Sequence, residues 1–204
     1  SEGNVFYPEA TKEAQVVCGN ARFTVLTTRL IRMEWAENGI FEDKATLGIV
    51  NRNLPVPAFK VKKSSSKTVI TTSDLTLEYK GNGKFDENNL SVTFTMADPN
   101  AKKGIRKVTW RPGMDDSANL LGTARTLDKC DGEKTLEPYD KGILSRDGWA
   151  IVDESDRHVF VPVDSDWKYW VEPRDDKDRQ DLYIFAYGHD YMDALADFTK
   201  VAGK

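Results

Sequence analysis

Short runs in which apolar and polar residues alternate recur along most of this 204-residue chain, and that period of two restricts it to an all-β fold. The clearest case covers residues 22–35. Phe23 and Val25 share one face, and beyond a break Leu30, Arg32 and Glu34 stand opposite Ile31, Met33 and Trp35. The same pattern predicts strands over 15–18, 46–50, 58–62, 68–72, 75–79, 90–95, 107–110, 149–153, 159–161 and 182–187. So many short strands at close spacing specify a β-sandwich. Lys63-Ser64-Ser65-Ser66-Lys67 and Lys80-Gly81-Asn82-Gly83-Lys84 read as hairpin connections, the second carrying an Asn-Gly step that tolerates positive φ. One segment departs from the period. From an N-cap at Asp190, with Asp193 in the first turn, Tyr191, Leu195 and Phe198 fall at i, i+4 and i+7 before Gly203. A short C-terminal helix is predicted there, with an apolar stripe that needs a partner surface.

Hydrophobic residues make up 39% of the chain, which suits one large all-β domain or two small ones. A domain of this length buries roughly 70% of its unfolded surface, so a substantial core is available. The formal net charge is −4, and acids and bases are interspersed along the sequence. No polybasic block offers itself to nucleic acid or to an anionic membrane, and neither is expected as a partner. No apolar run approaches the ~20 residues of a membrane helix. Ser1-Glu2-Gly3-Asn4 lacks the basic and apolar regions of a signal peptide, so any leader has been removed or never existed. Cys18 falls in an apparent strand and Cys130 in a glycine-rich region. Two cysteines permit one disulfide in an exported chain or two free thiols, and the compartment stays open. Neither they nor His158 and His189 have metal-ligand spacing.

Between residues 110 and 153 the alternation gives way to glycines, acids and arginines. Gly113, Gly122, Gly132, Gly142 and Gly148 supply turns. Asp115, Asp116, Arg125, Asp128, Asp131, Arg146 and Asp147 supply planar or charged hydrogen-bonding groups suited to polyhydroxylated ligands. By composition alone the stretch is either the working rim of a scaffold or a set of hairpin turns. Within it, NLLGTARTLD at 119–128 followed by GILSRDGWA at 142–150 resembles the N-terminal domain of glycoside hydrolase family 31, the α-glucosidase and α-xylosidase family. FTVLTTRLIRMEW at 23–35, FED at 41–43 and NRNLPVP at 51–57 are similar to the family's opening strands. DLYIFAYGHDY at 181–191 is similar to its passage from the sandwich into the helix before the catalytic barrel.

The resemblance implies a galactose-mutarotase-like β-sandwich over 1–189 and a helix over 190–204 leading toward a barrel. Such a (β/α)8 barrel typically needs about 250 residues, and the chain ends at Lys204. The family's aspartate nucleophile and acid/base both lie on the barrel, so no residue here is assigned as catalytic, and no metal or other cofactor is expected. Those two carboxyl groups stand roughly 5 to 5.5 Å apart in retaining enzymes, while a loop of the sandwich closes the pocket beyond the cleaved sugar. The implied function is a noncatalytic N-terminal domain of a retaining α-glycosidase. Its partners would be the catalytic barrel of the same polypeptide and an α-linked oligosaccharide substrate. Arg125, Asp128, Asp131, Arg146 and Asp147 would be the substrate-binding residues at the leaving-group subsite. The stripe of Tyr191, Leu195 and Phe198 would leave an apolar patch where the barrel docks.

Two other classes compete with that reading. An independent carbohydrate-binding module would use an aromatic platform, for which Trp167 and Trp170 are the candidates, although aromatic residues in β domains more commonly fill cores and seams. A mutarotase-like enzyme would need a paired histidine and carboxylate as general acid and base, and the only histidines are the isolated His158 and His189.

Overall fold

In the computed structural model, which describes residues 6–115, 144–162 and 169–202, the alternating runs form two five-stranded antiparallel sheets. Strands β1 (Gln15–Cys18), β2 (Ala21–Val25) and β3 (Leu30–Ala36) belong to the first, with β9 (Ala150–Asp153) and β12 (Arg179–Phe185). Its order is β1-β2-β3-β12-β9, so the last strand of the chain lies between β3 and β9. The second sheet is a meander of β4 (Phe59–Lys63), β5 (Lys67–Thr72), β6 (Leu75–Lys80), β7 (Leu90–Ala97) and β8 (Ile105–Trp110). A two-stranded ribbon, β10 (Val159–Pro162) with β11 (Tyr169–Glu172), and a helix α1 (Tyr191–Ala202) complete the fold. The chain is therefore a β-sandwich with one short C-terminal helix, as the sequence pattern predicts.

Alternation decides the main core. Phe23, Val25, Ile31, Met33, Leu182 and Ile184 project from the first sheet onto Ile70, Leu77, Tyr79, Val92 and Phe94 of the second. Phe23 is fully buried, with ring centroids 5.5 Å from Tyr79 and 5.7 Å from Phe85. The opposite face of the first sheet is buried as well. At one end Leu30, Ala150, Tyr183 and Phe185 lie beneath Ile49 and the helix residues Ala194 and Val201, with Tyr191, Leu195 and Phe198 packed against the same cluster. The helical stripe thus finds its partner within the domain. The patch expected for barrel docking is largely spent there, because β12 presents Tyr183 and Phe185 directly beneath it.

At the other end the same face carries charge. Arg32 donates to both oxygens of Asp181 at 2.9 Å, and Arg174 Nη2 donates to Asp181 Oδ2 at 2.9 Å. Arg22 pairs with Glu34 at 2.9 Å and with Asp43 at 2.8 Å. Arg52 donates to the Tyr183 hydroxyl at 2.7 Å and to the Pro8 carbonyl at 2.8 Å. Arg32, Glu34 and Asp181 are each under 5% exposed, so the pairs they form are interior structure, while Asp43 meets Arg22 from the surface.

Three expectations need correction. Residues 46–50 are not a strand. Thr46 makes an isolated bridge to Val159, its N–H donates to the Ile49 carbonyl at 2.9 Å and its hydroxyl accepts the Ile49 N–H at 3.1 Å, closing a turn around Leu47 and Gly48. A hairpin connection does follow β6, but it runs beyond 80–84 and Gly83 of the Asn-Gly step does not take the positive φ. β6 and β7 are joined across residues 81–89, the positive φ belongs to Gly81 at +71°, and Asp86 caps the return through the N–H groups of Asn88 and Asn89. Tyr169–Glu172, read only as an aromatic cluster, contains the second strand of the ribbon.

Candidate functional site

Turns gather at the end of the sandwich marked by Val25, Leu30, Leu75, Met96 and Phe185. The β2–β3 turn contributes Thr27, Thr28 and Arg29, the β5–β6 turn contributes Asp74, and the β12–α1 junction contributes Tyr187 to Asp190. Arg29 lies at the centre. Its Nη1 donates to Asp190 Oδ2 at 2.7 Å, its Nε stands 3.6 Å from Asp74 Oδ2, and its guanidinium carbon is 5.7 Å from the Tyr187 ring centroid. Burial opposes its charge, but Asp190, Asp74 and Asp193 outweigh that and raise its pKa. Asp74 also accepts from Thr28.

Tyr187 closes the floor. Its hydroxyl donates to Asp197 and lies 3.0 Å from Thr27 Oγ1, while Lys200 holds the other Asp197 oxygen at 2.9 Å. Burial, then the Asp197 carboxylate, pushes the phenol pKa up, so Tyr187 remains a neutral donor. These residues line an open groove of about 350 Å³, with a second of about 220 Å³ on the far side of Arg29 against Met96 and Gly188. The first is a polar cleft of hydroxyls, carboxylates, the Arg29 guanidinium and the Lys200 ammonium, whereas the second mixes Asp74, Asp190 and His189 with the apolar Met96, Ala97 and Ala186. Among the described residues no group of three or more His, Cys, Asp or Glu side chains could hold a metal ion.

Beside this groove runs the segment 144–149. Leu144 anchors it in the helix-side cluster and Trp149 in the core between the sheets. The Ser145 hydroxyl accepts the Asp147 N–H at 3.1 Å, and the Ser145 carbonyl accepts from Gly148 N–H and the Tyr191 hydroxyl, both at 3.2 Å. His189 Nε2 is 2.8 Å from the Arg146 carbonyl, which can only accept, so this nitrogen carries the proton. Gly188 N–H donates to the Gly148 carbonyl at 2.9 Å. Gly148 has φ +83°, and a Cβ there would meet Met96 Sδ at 2.7 Å and Gly188 Cα at 3.1 Å. Gly148→Ala should therefore cost about 1–3 kcal/mol for the left-handed backbone alone, with Met96 forced to shift. A thermal unfolding midpoint equal to that of the parent chain would refute the tight approach.

Of the residues expected to bind substrate, Arg146 is exposed and Asp147 half-buried, both on this segment, and no ion pair joins them. Arg125, Asp128 and Asp131 lie outside the described residues, as do Cys130 and Trp167. Cys18 is a free thiol that donates to Thr68 Oγ1 at 3.2 Å. Trp170 is 64% exposed on β11, and His158 and His189 are both exposed. The groove around Arg29 was not anticipated. Its only sequence signal is the polar break Thr27-Thr28-Arg29 between two apolar runs. No helix among the described residues is long and apolar enough to cross a membrane.

No family model matches the chain, and no curated protein matches it. Among solved structures, a family 31 glycoside hydrolase dextranase of Flavobacterium johnsoniae, complexed with glucose, is similar over 98% of this chain and 29% of that chain. The identity is 12% and the TM-score 0.46. A variant of the same dextranase complexed with isomaltotriose gives 12% identity and a TM-score of 0.45 over the same shares. The chain thus spans about 29% of the length of these solved chains.

Proposed function

We propose that this chain is the noncatalytic N-terminal β-sandwich of a retaining α-glycosidase related to family 31. In this reading it packs on the catalytic barrel of the same polypeptide and borders the leaving-group subsite for an α-linked oligosaccharide. The observation that carries the reading is a meeting of two segments. Residues 144–150 of GILSRDGWA and the stretch DLYIFAYGHDY, both part of the resemblance to the family, are bound to each other through Arg146 and His189, Gly148 and Gly188, and Ser145 and Tyr191. Arg146 and Asp147 are thereby held on a braced segment next to the start of the helix that would lead toward the barrel. Arg125, Asp128 and Asp131 remain proposed members of the same site.

The direct test is hydrolysis. The 204-residue chain should leave maltose and an aryl α-glucoside intact, whereas a polypeptide extended through the open reading frame should cleave both. Turnover by the isolated chain, or a stop codon directly after Lys204, would reject the proposal. Within the extended enzyme, Arg146→Ala and Asp147→Ala should lower kcat/KM for a disaccharide by about 1–3 kcal/mol of transition-state binding where a buried polar contact to the leaving sugar is lost. Aryl glycosides, whose leaving groups make few hydroxyl contacts, should lose less. Equal losses on both substrates would remove the leaving-group assignment.

A second reading, an independent carbohydrate-binding module, is favoured by the exposed Trp170 on the β10–β11 ribbon. Calorimetric titration of the isolated chain with maltotriose separates the two. Heat that disappears in Trp170→Ala selects the module, and no heat selects the domain that needs its barrel.

A further inference from the structure

The interspersed charges of the sequence do not stay interspersed in the fold. Strand register turns alternate residues of the second sheet outward, away from the core, and sorts them by type. One row runs straight across five strands as Lys60, Thr71, Thr76, Thr93 and Thr109. The neighbouring rows place Lys62 beside Val69 and Glu78, Lys67 beside Lys80, and Thr95 beside Lys107. The outward face therefore carries five lysines against the single carboxylate of Glu78, on a chain whose formal net charge is −4. Glu78 reaches Lys67 at 3.5 Å. Lys60, Lys62, Lys80 and Lys107 are exposed, and their ammonium groups make neither a hydrogen bond nor an ion pair among the described residues.

Two properties of this face need a reason. Lys67 and Lys80 stand directly opposite each other, an arrangement that repels and weakens a β-pair. The threonines form a flat ladder of hydroxyls, in which Thr93 and Thr109 touch at 3.1 Å. With strands about 4.8 Å apart, the row from Lys60 to Thr109 extends about 19 Å over four strand spacings.

We propose that the outward face of the β4–β8 sheet docks an anionic polysaccharide. Its carboxylates or sulfates meet the lysines, and its hydroxyls lie along the threonine ladder. Charge complementarity selects a polyanion, and the ladder selects one rich in hydroxyl groups. The outward face carries no aromatic residue, so it offers no platform for the base stacking that single-stranded nucleic acid uses. It carries no large apolar side chain other than Val69 and Ile105, so nothing on it inserts among lipid tails. The docking face borders the grooves beside Arg29 only at Thr95 and Ala97, and its occupancy is independent of whether a glycosidase barrel follows the chain.

The test is binding of the 204-residue chain to polygalacturonate and to dextran sulfate in 50 mM salt, with neutral dextran, poly(U) and phosphatidylserine vesicles in parallel. Both acidic polysaccharides should bind, neutral dextran should not, and raising the salt to 300 mM should weaken binding at least tenfold. Lys60→Glu with Lys107→Glu should reduce affinity at least tenfold while the circular dichroism spectrum stays unchanged. Thr76→Val with Thr93→Val should reduce polygalacturonate affinity about threefold and leave binding to polyglutamate, a polyanion without hydroxyls, unaltered. The proposal is overturned by absence of binding to both acidic polysaccharides, by affinity indifferent to the charge reversals, or by poly(U) or vesicles binding as tightly. If the charge-reversed chain does not fold, Lys62→Gln with Lys80→Gln reads the same loss at smaller amplitude, and an unchanged affinity there also overturns it.

Discussion

Asp181→Asn is expected to lower the folding stability of the domain by about 3–5 kcal/mol, because it removes the carboxylate shared by Arg32 and Arg174, leaving buried Arg174 without its ion-pair partner and Arg32 with Glu34 alone at 3.4 Å. Denaturant unfolding followed by tryptophan fluorescence measures it, and a loss under about 1 kcal/mol would mean the pairs are solvated. Replacing Arg32 and Asp181 together by apolar residues should cost less than the single change, since no buried charge of that pair is then left unmatched.

The same cluster sets the pH response. Burial alone would raise the Asp181 pKa, but the charges of Arg32, Arg174 and Arg52 override it and hold the carboxyl well below the ordinary range. Its contribution is therefore complete above the unfolded value of about 3.9 and is lost as the pH falls below that. Glu34 and Glu154 behave oppositely. Burial raises both, reinforced by the Asp181 charge and opposed by arginines, so their ionised forms are penalised at neutral pH and protonation relieves the penalty. Stability should hold or rise from pH 7 toward 5 and fall below about pH 4, and Asp181→Asn should flatten the acid limb.

Phe23→Ala should cost about 3–5 kcal/mol. The ring is fully buried, reaches from β2 across the sandwich and packs on Tyr79 and Phe85, so its removal opens a cavity at the seam between the sheets. The expected signature is a lower denaturant midpoint with an unchanged slope. A loss below about 1.5 kcal/mol would place the ring's weight elsewhere in the core.

Alternation makes the strands of the inter-sheet core legible, since Phe23, Ile31, Met33, Leu77 and Phe94 all fall within predicted strands. It says nothing about what covers the other side. Arg32 and Glu34 read as an ordinary polar face because their cover comes from distant connections, with the Glu42 N–H on Glu34 and Arg174 on the Asp181 carboxylate that Arg32 binds. Thr46 to Val50 mimics a strand because a β-branched turn and a short strand share composition, and only the bonds between Thr46 and Ile49 distinguish them. The Arg29 groove was illegible for a similar reason. Asp74, Tyr187 and Asp190 meet Arg29 only after three separate connections have been folded together, and no local motif announces that meeting. The lysine face of the second sheet is written in the sequence as a period-two pattern, but it becomes visible only when the register of five strands is known.

The strand order of the first sheet bears on how the chain reaches its native state. The meander of residues 59–110 pairs neighbours along the sequence, so it closes through short loops and can form early. β3, by contrast, takes its second partner from residues 179–185, with Leu30 opposite Phe185. During synthesis at about 5–20 residues per second, the open edge of β3 waits on the order of ten seconds for β12 to emerge. Through that interval Leu30, Ile31 and Met33 lie on a strand with an unpaired edge, the template on which nascent chains associate.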